Sequence, residues 1–136
     1  MRTIIATIKP IHLGNIRSGE KGFEIRKTCP AELPFRVLCC QSGSGGKIIA
    51  EFVVDAALQE RPGKCPCVVS ASCVSMEMAE RYAAGKEVWF WHISQMIDYC
   101  STKGYRVRHI SEFGLKRAPQ SWCYAREGES KNDGIY

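Results

Sequence analysis

Six short runs of alternating, β-branched or aromatic residues recur along this chain and constrain its fold most strongly. Patterns of this kind are typical of β-strands, and proline, glycine or polar residues separate the runs. The predicted strands are 3–9 (TIIATIK), 23–28 (FEIRKT), 35–41 (FRVLCCQ), 47–58 (KIIAEFVVDAAL), 87–94 (EVWFWHIS) and 120–127 (QSWCYARE).

Two segments have helical punctuation. Residues 10–18 begin with Pro10, which is tolerated in a first helical turn, and Gly19 follows their end. In 75–85, Ser75 can cap the helix and Gly85 can end it. Residues 109–114 (HISEFG) are predicted to form one helical turn, and residues 59–73 an irregular excursion. One apolar stripe on the second helix comprises Met78, Ala79, Tyr82 and Ala83.

About six strands with two short helices predict an α+β fold. The helices are too few for regular βαβ crossovers, so a compact barrel-like domain is expected. A chain of 136 residues is long enough for one good core. We therefore expect a single domain over 1–126 and a polar C-terminal tail over 127–136.

Eight cysteines raise the questions of disulfides and of metal. Cys39 and Cys40 lie inside an apolar run and resemble small core residues. A zinc site would need Cys65, Cys67 and Cys73, completed by His92 or Cys100, but the C-x-C spacing matches structural zinc poorly. We expect reduced thiols, no metal and no other cofactor.

The apolar stretches are too short for a membrane helix, which needs about 20 residues. The N-terminal MRTIIATIKP also lacks the apolar region and small-residue cleavage site of a secretory signal. A cytoplasmic protein with no membrane association is expected.

Basic residues are concentrated in segment 100–118, here called the basic segment. The chain carries 19 basic and 14 acidic residues, a net charge of +5, and the only acid of this segment is Glu112. Local positive charge is the electrostatic signature of a polyanion partner, although a solvated loop would look the same. Candidate phosphate-binding residues are Lys103, Arg106, Arg108, Lys116 and Arg117.

The stretch GEKGFEIR at 19–26 is the strongest candidate site. Side chains alternate along a strand, so Glu24 and Arg26 share one face while Phe23 and Ile25 should face the core. Lys21 lies in the preceding turn and can reach the same side. Glu24 could accept N–H groups of a polar ligand while Lys21 and Arg26 contact its oxygens, although a mutually satisfied surface trio is equally compatible with the pattern.

This stretch resembles the G-x-K-x-x-E-x-R signature of ASCH domains. The similarity continues through the CCQS and GKIIAEFVV strands and YAAGKEVWFWHIS to SEFGLKRAPQSWCYARE, so it covers roughly residues 3–126. It implies a PUA-like β-barrel with a cleft beside it, as in small stand-alone bacterial or phage ASCH proteins. It also implies RNA or nucleotide binding, with no protein partner indicated. The ligand-binding residues it implies are Lys9, Gly19, Lys21, Glu24, Arg26, Ser42, Gln120, Ser121 and Trp122.

A nucleobase also needs a surface on which to stack. Candidates are Trp91, Trp122 and Tyr124, although tryptophans on a barrel strand are more often core residues. Trp89 and Trp91 share one face of their strand, so only one set of its side chains can line a cleft. His92 is expected to be a hydrogen-bonded, half-buried histidine.

Three functions remain open, of which the last is an interaction protein whose charged cleft is a relic. The first is a binding module for RNA or a modified nucleotide. The second is an enzyme, an amidohydrolase acting on an acylated nucleoside or a ribonuclease, with Lys21 and Glu24 as its catalytic residues. One small bacterial branch of the ASCH domains that this chain resembles hydrolyses the acetyl amide of acetylated cytidine, with a lysine at the place of Lys21, a glutamate and a threonine nucleophile. Here Glu24 stands at the place of that threonine, and Thr28 is not an equivalent, which favours binding.

Overall fold

A computed structural model describes residues 1–126 as one curled mixed sheet with short helices on it, so the predicted tail at 127–136 lies outside the described residues. The strands are β1 (Arg2–Ile8), β2 (Phe23–Arg26), β3 (Phe35–Gln41), β4 (Lys47–Glu60), β5 (Val88–Asp98), β6 (Arg108–His109) and β7 (Trp122–Tyr124). The helices are α1 (Pro10–Arg17), α2 (Pro66–Ala71) and α3 (Met76–Ala83), with 3-10 turns at Pro62–Lys64 and Ile110–Phe113.

The sheet is an α+β half-barrel in which β2 and β7 are the two edge strands. Its order is β2-β5-β4-β3-β1-β7, with β6 paired to the start of β4. Only the β1–β3 pair is parallel among the described strands. Register shifts in β4, between Glu51 and Val53 and between Val54 and Ala56, let this long strand bend with the curled sheet.

Apolar residues pack on both sides of the sheet because successive strand residues face opposite sides. Ile4 and Trp91 belong to the core cluster on one side of the sheet. Ile5 belongs to a second cluster on the other side, with Ile110 and Phe113 of the second 3-10 turn. A third cluster lies under α2 and α3 and contains Val69, Ala79, Ala83, Val88 and Phe90.

The sequence predicted most elements but missed some. The strand at 35–41 has the predicted bounds, and the Ser75 hydroxyl caps α3 by accepting a hydrogen bond from the Met78 N–H. The prediction of an irregular segment at 59–73 was wrong, since β4 runs to Glu60 and α2 follows. Pro66 in the first turn of α2 was the missed signal.

The cysteines behave as core or surface thiols. All eight are free, and Cys39 and Cys40 are buried as predicted. Across residues 1–126 no group of three or more histidine, cysteine or acidic side chains is placed to hold a metal ion, so Cys65, Cys67 and Cys73 do not form the zinc cluster considered above. In the same range no helix has the length and apolar character needed to cross a membrane.

Candidate functional site

The candidate site begins at the turn between α1 and β2. Gly19 has φ +84°, a left-handed conformation that favours glycine, and its N–H donates to the Ile16 carbonyl. The Lys21 N–H then donates to the Asn15 carbonyl, which turns the chain back into β2. The role of Gly19 is therefore conformational, because the turn that it permits directs Lys21 towards the site.

Lys21 is buried with its ammonium group among polar partners. Only 3% of the residue is exposed, and Nζ donates to the carbonyl of Ser72 just after α2. Its Nζ lies 3.7 Å from Glu24 Oε1. Burial lowers the pKa of Lys21 below its usual value, and the nearby Glu24 carboxylate partly opposes this effect.

Glu24 and Arg26 form a buried ion pair beside Lys21. They share one strand face, as predicted, but this face is the buried one, with 5% and 8% of the two residues exposed. Arg26 Nη2 lies 2.7 Å from Glu24 Oε2. The expectation that Phe23 and Ile25 occupy the core face needs correction, since both are only half-buried against the cluster under α2 and α3.

All five N–H groups of the Arg26 guanidinium have acceptors. Nε and Nη2 donate to Glu24 Oε2, Nη2 also donates to the Thr7 carbonyl, and Nη1 donates to the carbonyl and hydroxyl oxygens of Ser121. The predicted contact of Arg26 with ligand oxygens is therefore not supported, because no donor is left over. Arg26 instead links edge strand β2 to β1 and to the residue before β7.

A second side-chain contact joins the same edges. The Trp122 indole N–H donates to the Thr28 hydroxyl at 2.9 Å. The Thr7 hydroxyl donates to the Pro119 carbonyl and so fixes the segment that leads into β7. These bonds hold Gln120 and Ser121 next to β2, although the two segments are far apart in the sequence.

A cavity of about 610 Å³ lies above this charged group. Its floor includes Lys21, Glu24 and Arg26, and its apolar wall comes from Val74 and from α3. The wall residues of α3 are Met78, Ala79 and Tyr82, and the polar rim contains Thr7, Lys9, Thr28, Gln120 and Ser121. The volume is in the range of small-molecule sites.

His12 of α1 also lines the cavity and was missed by sequence reasoning. Its Nδ1 is buried without a hydrogen-bond partner among the described residues. Burial and the Lys21 ammonium lower the pKa of His12, which favours its neutral form. The only available signal was its spacing from Lys9, one helical turn away on the helix that leads into the motif.

The aromatic residues are placed differently from the prediction. Trp91 is fully buried and packs edge-on against Phe35, so its predicted role in stacking was wrong. Trp122 is half-buried, and Tyr124 packs edge-on against it; neither lines the cavity. The aromatic residue in the cavity wall is Tyr82, which sequence reasoning had placed in an apolar stripe.

Some of the remaining predicted site residues line the cavity and others lie outside it. Lys9, Gln120 and Ser121 come together with the charged floor, whereas Ser42 lies outside the cavity, with its N–H donating to the Ile8 carbonyl. His92 is half-exposed, and its Nδ1 lies 2.7 Å from Asp55 Oδ1.

The basic segment does not contribute to this cavity. Arg106 and Arg108 both pair with Glu112, and Ile110 packs against the other side of the sheet. None of its five predicted phosphate-binding residues lines the cavity, and their phosphate-binding role stays a prediction. The set comprises Lys103, Arg106, Arg108, Lys116 and Arg117.

Comparisons with known proteins identify the fold. No family model matches the sequence, and no curated protein matches it. The crystal structure of ASCH from Zymomonas mobilis is similar to this chain with TM-score 0.73 and 17% identity, over 95% of this chain and 91% of that one. A serine-to-alanine variant of that protein has a TM-score of 0.72 and 17% identity, over 95% of this chain and 92% of that one. A tyrosine-to-phenylalanine variant has a TM-score of 0.71 and 16% identity, over 96% of this chain and 94% of that one.

These matches show that the architecture is the α+β fold of the ASCH structures. The fold implied by the sequence resemblance is therefore confirmed.

Proposed function

We propose that this chain is an RNA- or nucleotide-binding module that holds one nucleoside in the cavity. The observation that carries this proposal is the pairing of a buried charged floor with an apolar wall in one cavity. A nucleobase has a flat apolar face and a polar edge, and it is recognised by stacking and by hydrogen bonds to that edge. The eight free cysteines suit a reducing compartment, so we place this function in the cytoplasm.

The floor offers both a donor and an acceptor to the edge of a base. Glu24 Oε2 is occupied by Arg26, but among residues 1–126 the only polar contact of Oε1 is the 3.7 Å contact with Lys21 Nζ. Oε1 can therefore accept an N–H group of a base, and Lys21 Nζ can donate to a carbonyl oxygen. The base would lie against Met78 and Tyr82, with Gln120 and Ser121 at the rim.

Substitution of Glu24 by glutamine should weaken nucleoside binding about 10- to 150-fold. The amide oxygen of glutamine would stay with Arg26, so its NH2 group would replace the Oε1 acceptor that faces the base. The estimate corresponds to the loss of one hydrogen bond to a charged group, about 1.5–3 kcal/mol. Isothermal titration calorimetry with cytidine, uridine, adenosine, guanosine and acetylated cytidine measures the effect. Glu20→Gln is the matched control, because Glu20 is exposed and lies outside the cavity.

Glu24→Gln also removes the partner of a buried guanidinium, so its folding must be checked by thermal unfolding. Thr28→Val is a second variant that removes a rim hydroxyl and leaves every buried charge in place. Equal nucleoside affinities of the wild type, Glu24→Gln and Thr28→Val would contradict the proposal, as would the absence of binding to all five nucleosides.

A hydrolase is the second candidate, favoured by the burial of Lys21 beside Glu24. A lowered lysine pKa increases the fraction of neutral amine, which can accept a proton from water. The hydroxide would add to the acyl carbon of an acylated nucleoside, the C–N bond would break, and the proton would pass to the leaving amine. The same base could activate an attacking hydroxyl in RNA cleavage.

For this candidate, activity should rise with pH and disappear in Lys21→Met. Only the neutral amine accepts a proton, so the rate increases as pH rises through the lowered pKa of Lys21 and then levels off. Chromatography after incubation with acetylated cytidine, and separately with a short RNA, detects the products. Lys47→Met is the control because Lys47 is exposed on β4. Activity that survives in Lys21→Met would exclude this mechanism.

A further inference from the structure

A second depression, of about 310 Å³, lies on the other side of α3 and is here called the groove. The 3-10 turn at Pro62–Lys64 forms one wall, and the turn after α3 forms the other. α3 separates the groove from the cavity: Met78 and Tyr82 face the cavity, whereas Glu80 and Ala83 line the groove.

Positive charge predominates in the groove. Arg61, Lys64 and Lys86 line it together with a single acid, Glu80. Within residues 1–126, none of these three cations has a carboxylate within ion-pair distance. In contrast, Arg106 and Arg108 of the basic segment share Glu112.

The backbone of both walls is well defined by turns. Pro62 is buried, and the Lys64 N–H donates to the Arg61 carbonyl. On the opposite wall Gly85 has φ +80°, and the Lys86 N–H donates to the Ala83 carbonyl. Two short turns therefore present the three cations around one depression, and their long side chains remain exposed to solvent.

We propose that the groove binds backbone phosphates of an oligonucleotide whose neighbouring nucleoside occupies the cavity. This inference rests on the proposed function, because it extends a single-nucleoside site across α3. A helix with its side chains is about 10–12 Å across, so a lone nucleoside in the cavity cannot reach the groove. Unpaired cations favour phosphate, since binding displaces counterions without breaking an existing ion pair.

The test compares two triple variants that remove the same charge. One is Arg61→Gln, Lys64→Gln and Lys86→Gln; the matched control is Arg2→Gln, Lys47→Gln and Arg81→Gln, three exposed cations that line neither the cavity nor the groove. Each protein is titrated with the tightest-binding nucleoside and with a fluorescent RNA hexamer containing it, at several salt concentrations. We expect the groove variant to weaken hexamer binding at low salt and to leave nucleoside affinity unchanged.

The salt dependence gives the expected size of the effect. Each phosphate contact with a single strand contributes about 0.7 to the magnitude of the slope of log K against log salt concentration. The loss of two to three contacts in the groove variant should therefore reduce the magnitude of this slope by about 1.4–2.1. The control variant should keep the wild-type slope. A groove variant with the wild-type slope, or equal losses in both variants, would overturn the inference.

The outcomes also separate this inference from the proposed function. Nucleoside binding without any gain for the hexamer would overturn the groove and leave the cavity proposal intact. Groove-dependent hexamer binding without nucleoside binding would overturn the cavity proposal, and with it the placement of a neighbouring nucleoside there, and would leave the groove as a phosphate site only. Inorganic phosphate is the third probe: phosphate that binds the groove as tightly as the hexamer would assign it to small anions and overturn the inference.

Discussion

Substitution of Arg26 by alanine should lower the free energy of unfolding by about 3–5 kcal/mol, the range for breaking a buried ion pair by removing one partner. The variant leaves the Glu24 carboxylate buried without its strongest partner. It also removes the donors to the Thr7 carbonyl and to Ser121, which join the two edges of the half-barrel. The loss should therefore exceed that of an ordinary ion pair.

Urea unfolding followed by tryptophan fluorescence measures this effect. Arg26→Lys is the second variant, which keeps the charge but loses the planar fork, and we expect an intermediate loss. Arg81→Ala is the control, since its pair with Glu77 is 74% and 81% exposed and should contribute at most about 1 kcal/mol. An Arg26→Ala protein within 1 kcal/mol of the control would contradict the assigned structural role.

Substitution of Trp91 by alanine should also have a large effect: we expect it to lower the free energy of unfolding by about 3–5 kcal/mol. Trp91 has no exposed surface and contacts Phe35 and Trp122 edge-on, so truncation leaves a cavity in the core.

Tyr82→Ala should affect ligand binding rather than stability. It removes a half-exposed side chain and should cost little stability, but it should weaken nucleoside binding by about 1–3 kcal/mol through lost stacking.

The two variants are measured side by side, by urea unfolding and by calorimetric titration with a nucleoside. Tyr82→Phe is the control for the aromatic face, because it keeps the ring and should retain most of the affinity. A Tyr82→Ala protein with unchanged affinity would remove Tyr82 from the proposed site. Stability of Trp91→Ala close to that of the wild type would contradict the core assignment.

Local signals in the sequence predicted much of the fold. Strand periodicity, Pro10 and the Ser75 cap act over a few residues, so the elements that they specify agree with the structure. The two-residue strand β6 has no periodicity that could be recognised, and it forms because Lys47 and Ile48 of β4 pair with it. Helix α2 is too short to show an amphipathic pattern.

The candidate site was predictable only in part. The motif at 19–26 correctly grouped Lys21, Glu24 and Arg26, because turn and strand geometry fix their relative positions within one short segment. The ligand-binding role of Lys21 and Glu24 stays a prediction. The contribution of α3 could not be foreseen, since Tyr82 reaches the cavity only because the helix packs beside β2.

The sequence by itself determined that Glu24 and Arg26 share a strand face, because alternation is a local property of extended backbone. Only the tertiary structure decided that this face is buried and that every N–H group of the Arg26 guanidinium has an acceptor. That outcome depends on the Thr7 carbonyl of β1 and on Ser121, 95 residues away in sequence, which accept hydrogen bonds from Arg26. Contacts between segments that are far apart in sequence, which no local pattern encodes, therefore give Arg26 a structural role in joining strands. Lys21 and Glu24 remain facing the cavity.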